Sequence, residues 1–341
     1  MRIVRRTNME YLVLMDLLRY LSAITVLLFH LVSFTPIIGD FGFFGPMIGY
    51  SADARGVQIF WVISGIAISH VYLRNATSSV HFLGYRFARL YPLHLATLLI
   101  VASLQLISLR LLGENQIHED NSLSHFAYNL LFISNWGPAN GYSFNAPIWS
   151  VSIEMLAYLV FAVFIALFRH RYGFILASLF FLFSATHSTV LGFAPNEIIN
   201  CFYYFFGGCL LYYFSNQYPK RWIIALVLLI GCLIGRDFVP IFVCSIFFTL
   251  DLNLEIPKKI SEVIVKFGSY SYSLYLIHTP VQILLLTCLK YFEVKLYDPV
   301  QVSFFIFSYL IIIHVLSFFS LKYFEDPARR LLRNLTIRSF G

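Results

Sequence analysis

Asp16 to His30 reads DLLRYLSAITVLLFH, and the reading of this stretch decides the class of the molecule. Most of its residues suit a buried or membrane helix, whereas Arg19 and His30 do not. His30 follows Arg19 by eleven positions. At about 100° per residue that separation is three turns plus roughly 20°, so both side chains share one face. At about 1.5 Å per residue they sit roughly 16 Å apart along the axis. In a helix that spans a bilayer, two ionisable groups on one face are costly, and such groups mark function by default.

The rest of the chain agrees with a membrane reading. Apolar residues make up 59% of the sequence and charged residues 12%, against roughly 25% charged in soluble domains. Many apolar runs approach the roughly 20 residues that a spanning helix needs. A polytopic all-α bundle follows, with membrane lipids around it. The net charge of +7 is spread over short loops, which argues against a nucleic-acid partner. The five cysteines, Cys201, Cys209, Cys232, Cys244 and Cys288, all fall in apolar runs without metal spacing. They read as buried free thiols, and no metal site is expected. The N-terminal MRIVRR precedes a run long enough to span, so it reads as the flank of a retained first helix.

Ten spans are expected, at roughly 15–34, 56–73, 91–112, 148–168, 173–191, 198–214, 221–235, 238–250, 272–291 and 302–324. The seventh and eighth share Arg236–Asp237 as their turn and read as a tight pair or a partial hairpin. With a cytoplasmic N-terminus, one set of loops holds Arg2, Arg5, Arg6, Arg74, Arg86, Arg89, Arg169, Arg171, Lys220, Arg221, Lys258, Lys259, Lys266 and the tail from Lys322 to Arg338. The other set holds Arg55, Arg236, Lys290 and Lys295. That asymmetry puts both termini in the cytoplasm. The loop from Gly113 to Pro147 lacks Lys and Arg, and its HFAYNLLFISNWG segment suits a short interfacial helix. No internal repeat is present, and residues 1–341 are expected to form one domain without an appended soluble one.

Six blocks can carry chemistry. His30 suits general-base work, with a packed, hydrogen-bonded histidine as the plain alternative. Arg19 suits a phosphate or carboxylate, and Asp16 lies where it can pair with it. GVQIFWVISGIAIS, Gly56 to Ser69, sets Ser64–Gly65 mid-span. Small residues there permit close helix packing, and Ser64 lacks the context of a nucleophile. YRFARLYPLHL, Tyr85 to Leu95, carries Arg86, Arg89 and Pro92 and reads as topology anchoring or as an anion site. NAPIWSVSIEMLAY, Asn145 to Tyr158, places Glu154 about two turns inside its span. There a carboxylate is paired, protonated or in a wet cavity, and it could orient His30. SYSLYLIHTP holds His278, and YFEDPARR holds Glu325. His70, His94, His314 and Arg110 read as structural or interfacial.

Taken in order, these blocks resemble the acyltransferase-3 family of integral membrane acyltransferases. They read MDLLR with Arg19-x10-His30, GVQIFWVISGI, Arg86-x2-Arg89-x2-Pro92, WSVSIE ending at Glu154, SYSLYLIH ending at His278, and Glu325-Asp-Pro327. The resemblance covers essentially the whole chain. Two positions depart from it: Gln58 stands where the family usually has Asp, and Leu18 where it usually has Gly.

The resemblance implies transfer of an acyl group, usually acetyl, from cytoplasmic acyl-CoA to an extracytoplasmic acceptor. Hydroxyls of surface glycans such as O-antigen or exopolysaccharide, or of lipid-linked sugars, are the commonest acceptors. It implies a bacterial inner-membrane location, acetyl-CoA as co-substrate and no permanently bound cofactor. Arg19, Arg86 and Arg89 would hold the donor phosphates. His30 would be the base or be transiently acylated, Glu154 would orient it, and Trp136, Tyr142 and Trp149 would face the sugar. Two rivals from other classes are a polysaccharide-precursor transporter or flippase and a non-catalytic assembly subunit. The transporter would usually show paired halves and broken helices.

Overall fold

The computed structural model describes residues 12–35, 51–72, 78–137, 142–168, 181, 196–217, 238–296 and 298–340. The expected spans 173–191 (Phe181 aside) and 221–235 lie outside the described residues, as do Arg2, Arg5, Arg6, Arg74, Arg169, Arg171, Lys220, Arg221, Arg236 and Cys232. Among the described residues the chain is helical, without β-sheet. In chain order the helices are α1 (Val13–Phe34), α2 (Ser51–Tyr72), α3 (Ser79–Leu112), α4 (Leu123–Leu130), α5 (Ile148–Phe168) and α6 (Asn196–Gln217). They continue with α7 (Val239–Asn253), α8 (Lys258–Ser269), α9 (Ser271–Tyr291), α10 (Pro299–Ser320) and α11 (Asp326–Phe340). A π-helical turn, Leu321–Glu325, joins the last two.

Five helical stretches among the described residues are long and apolar enough to cross a membrane: Val13–Phe34, Ser79–Leu112, Glu197–Ser215, Ser271–Tyr291 and Pro299–Ile337. Ile148–Phe164 and Val239–Asn253 are apolar and shorter. The α3 helix begins well before the expected 91, because Ser78 caps it and Pro92 does not end it. The Ser78 hydroxyl accepts from the His81 N–H at 3.3 Å, which satisfies one orphan donor of the first turn. Gly113, at φ +75°, closes the helix in the left-handed conformation that suits glycine. At about 1.5 Å per residue, its 34 residues exceed the roughly 30 Å of a bilayer core. Arg86 and Arg89 therefore ride on a continuous helix rather than in a loop ahead of it.

The α1 helix is the hub, packed against α2, α7, α8 and α9. Its own N-terminus carries no side-chain cap. Asp251 of α7 supplies one from elsewhere in the chain, accepting from the Leu14 and Met15 N–H groups at 2.8 and 2.9 Å. A carboxylate there satisfies orphan donors and suits the positive end of the helix dipole. On α10, His314 lies 2.8 Å from the Tyr20 hydroxyl and ties that helix to α1, in keeping with its structural reading.

The mid-span Ser64–Gly65 packs as its small residues suggest. A Cβ on Gly65 would lie 2.0 Å from the Phe205 carbonyl oxygen, and one on Gly208 2.2 Å from that of Val62. Glycine on both sides lets α2 and α6 touch backbone to backbone. Cys201, Cys209 and Cys244 are buried free thiols as expected, whereas Cys288 is exposed. Its helix face lies away from the packed interior, a distinction that apolar character alone does not make.

Candidate active site

Arg19 from α1, Ser64 from α2, Arg86 and Arg89 from α3, and Glu154 from α5 line one cavity of about 340 Å³. Tyr272 and Tyr275 of α9 complete its wall. The three arginines come from two helices and reach the cavity because α3 runs on through Pro92. Arg19 pairs with Asp16 at 2.7 Å, the contact their i, i+3 spacing suggests. Arg86 is boxed by aromatic rings, its guanidinium carbon 5.6 Å from the Tyr72 centroid, 5.9 Å from Phe82 and 5.8 Å from Tyr158. Its Nε is buried without a hydrogen-bond partner.

Glu154 faces this cationic cavity. It accepts a hydrogen bond from Tyr158, one turn later on α5. The Tyr158 hydroxyl also lies 3.4 Å from that of Ser64. The expected partnership of Glu154 with His30 is not what the described contacts show. The carboxylate instead sits in the field of Arg86 and Arg19, because the inward face of α5 meets α3 rather than the far half of α1. Glu325 is likewise drawn inward. It accepts from Ser273 at 2.6 Å and Ser320 at 2.8 Å, and it interacts electrostatically with Arg89. Three arginines and one carboxylate, Glu154, thus line the cavity, while Asp16 and Glu325 engage Arg19 and Arg89 from its edges.

His30 does not line that cavity. Its Nδ1 lies 2.7 Å from Nε2 of His278 on α9, and both residues are buried. Two further contacts lock the same helix pair, as the Gln282 amide donates to the His30 carbonyl at 2.9 Å and to the Thr35 hydroxyl at 3.1 Å. The α9 backbone is opened locally by Pro280, which has no N–H to give the Leu276 carbonyl. Asn145 fills that vacancy, donating to Leu276 at 3.2 Å and to Thr97 at 2.8 Å.

Around the histidine pair the loop between α3 and α5 contributes aromatic groups. His118 stacks edge-on to Phe34 at 5.5 Å, and Phe34 is 5.5 Å from the His30 ring. His118 also contacts Tyr142 at 6.0 Å, and Tyr142 contacts Trp149 at 5.9 Å. Two of the three residues expected to face an acceptor thus belong to one chain of rings that leads to His30. Tyr142 is 44% exposed, so the chain opens at the surface. Trp136 has a structural tie, donating to the Ser152 carbonyl at 2.9 Å. His94 also serves packing, with its Nε2 2.8 Å from the Asn129 carbonyl, and His70 packs edge-on against Tyr212.

Between the two loci stands Tyr275. Its hydroxyl is 2.8 Å from that of Ser150 and donates to the Pro147 carbonyl at 3.0 Å. Its ring lies 5.6 Å from Phe60 and 6.1 Å from His278. Sequence reading passed over Tyr158, Tyr275 and His118. Helical spacing could have found the first two, four residues after Glu154 and three before His278. The loop residue His118 carries no such signal. Among the described residues no group of three potential ligands could hold a metal.

Apolar helices of membrane-spanning length surround a cavity lined by three arginines, and a histidine pair lies beyond it. Residues 13–321 match the acyltransferase domain of the acyltransferase-3 family, and the chain belongs to that family. Over 115 residues it is 31% identical to acyltransferase MdmB of Streptomyces mycarofaciens, a stretch covering 33% of this chain and 28% of that protein. The chain thus matches less than a third of the length of that relative. No solved structure matches it.

Proposed function

We propose that the protein is an O-acyltransferase that moves an acyl group, acetyl in the simplest case, from acyl-CoA to a hydroxyl of a glycan. The donor enters from the cytoplasm and the acceptor sits on the opposite face of a bacterial inner membrane. The arginine cavity carries this reading. Arg19, Arg86 and Arg89 converge on one space, and Arg86 keeps a buried Nε donor without a hydrogen-bond partner. Guanidinium groups match phosphate oxygens in geometry and charge.

The separation of the two loci fits such a donor. Its phosphates are far from its thioester, joined by a long flexible arm. Arginines at one level and His30 roughly three turns along α1 suit that spacing. In the reaction His30 takes the proton of the acceptor hydroxyl, whose oxygen forms the new C–O bond at the thioester carbonyl. The C–S bond breaks, and the CoA thiolate leaves and takes up the proton that His30 removed, which restores the base. Holding both reactants against the base supplies the positional part of the acceleration. Tyr142 and Trp149 offer apolar ring faces for a sugar at the exposed end. Glu154 and Tyr158 shape the donor cavity rather than the base.

The test is turnover of radiolabelled acetyl-CoA by purified protein in the presence of glycan prepared from a strain lacking the gene. Label in the glycan, released by mild base, is the expected result. Glycans of identical mass with and without the gene, and no label transfer, would sink the reading.

A further inference from the structure

We propose that His278 is a positioning residue that fixes the tautomer and ring orientation of His30. The inference rests on the acyl-transfer reading above and adds a second residue to it. His278 is completely buried. Its Nδ1 lies 3.3 Å from the Leu274 carbonyl oxygen, one turn earlier on α9. A carbonyl only accepts, so this nitrogen carries the hydrogen. A buried imidazolium without a counter-charge is costly, so the ring is neutral and its Nε2 is an acceptor. The His30 Nδ1, 2.7 Å away, is then the donor. The Thr279 hydroxyl at 3.3 Å shares the same acceptor.

One consequence follows for the base. With its hydrogen on Nδ1, neutral His30 presents its lone pair on Nε2. Ring contacts with Phe29 at 5.7 Å and Phe34 at 5.5 Å hold the imidazole in that orientation. When Nε2 takes the acceptor's proton, the Nδ1–H···His278 bond persists, and His278 itself exchanges no proton. A carboxylate performs this service in hydrolase triads. A neutral imidazole does so without placing a permanent negative charge among apolar helices. The geometry also explains why His278 is not itself a base, since its lone pair is already engaged.

Three variants in the full-length protein, reconstituted in liposomes with acetyl-CoA and de-O-acetylated host polysaccharide, separate positioning from packing. His278→Gln keeps an acceptor near the Nε2 position. His278→Asn is equally polar but ends near the Nδ1 position, and His278→Leu has no acceptor. Asn and Leu should lose roughly 10²-fold or more in kcat with the donor KM unchanged, the size of lost general-base assistance. Gln should recover most of the rate. A fall of equal size in Gln and Asn, or Leu at the wild-type rate, overturns the proposal. If Leu fails to fold, the Gln–Asn comparison decides. Histidine ¹⁵N resonances give a readout independent of turnover. His30 should show a protonated Nδ1 and a deprotonated Nε2 in the wild type, and the reverse tautomer overturns the proposal whether or not acetyl moves. Absence of transfer in the wild type tells only against the acyltransferase reading.

Discussion

Tyr158 donates its hydroxyl hydrogen to Glu154, one helical turn before it, and both side chains line the cavity that Arg19, Arg86 and Arg89 enter. The pair sets the edge of a cationic space, with the Tyr158 ring also against the Arg86 guanidinium. Arg86→Ala and Arg89→Ala should each raise the KM for acyl-CoA about 10- to 100-fold, as one charge-assisted contact is typically worth about 1.5–3 kcal/mol. Arg86→Lys should not restore it, because a point charge neither stacks in the ring box nor offers two prongs. An unchanged donor KM in both alanine variants would return these residues to topology anchors.

His30→Ala should leave a folded, inserted protein whose transfer rate is down about 10²–10⁴-fold, the usual worth of general-base assistance. The contacts of Gln282 with the His30 carbonyl and Thr35 involve no His30 side chain, so α1 and α9 stay docked. Steady-state acetylation at matched expression is the measurement. Near-normal acetylation would remove His30 from the chemistry.

Reporter fusions test the membrane arrangement that the loop charges predict. A reporter placed after Gly113 should report the extracytoplasmic side and one at Gly341 the cytoplasm. Both on one side would defeat a ten-span topology.

Packing at Gly65 gives a stability prediction. Gly65→Ala drives a methyl to 2.0 Å from the Phe205 carbonyl, a backbone atom that cannot step aside. The cost should be about 1–3 kcal/mol, as for other overpacked sites. Gly113→Ala meets open space but must hold φ at +75°, so about 1 kcal/mol is expected. Melting in detergent should rank Gly65→Ala as the less stable of the two.

The pH dependence of stability should carry a contribution from His118. Burial, then the neighbouring His30, depresses its pKa from 6.5 to about 4. Between those values it stays neutral in the folded chain and is protonated in the unfolded one. Its contribution is therefore complete above pH 6.5 and is lost as pH falls toward 4. The melting temperature of the wild type should drop more between pH 7 and about 4.5 than that of His118→Gln. Parallel curves would show that His118 is not the group responsible.

Several of these features were open to reading from the residues alone. Composition and run length establish an all-α membrane class, since the bilayer imposes one requirement on every span. The shared face of Arg19 and His30, the Asp16–Arg19 pair and the small Ser64–Gly65 contact follow from 3.6-residue periodicity, which is local. The HFAYNLLFISNWG segment was expected to hold a short helix, and the helix found, Leu123–Leu130, overlaps its first half and is capped by Ser122. Continuation of α3 through Pro92 was not expected, because a proline inside a helix removes a hydrogen bond and crowds the preceding turn, so it reads as a break.

Which distant groups meet is a different kind of information. Sequence placed Glu154 and His30 each inside a span and suggested that they join. The tertiary structure instead sends Glu154 to the arginines and brings His278 to His30 across 248 residues of chain. It also has Asp251 cap α1 from a separate helix. Periodicity determines which face of a helix a residue occupies, but not which neighbour that face meets. Close packing of the whole bundle chooses the neighbour, through contacts such as Gly65 against Phe205 that set the depth and rotation of each helix. Arg19, Arg86, Arg89, Glu154, His30 and His278 were named from the sequence, and their division into an arginine cavity and a histidine pair was decided by the fold.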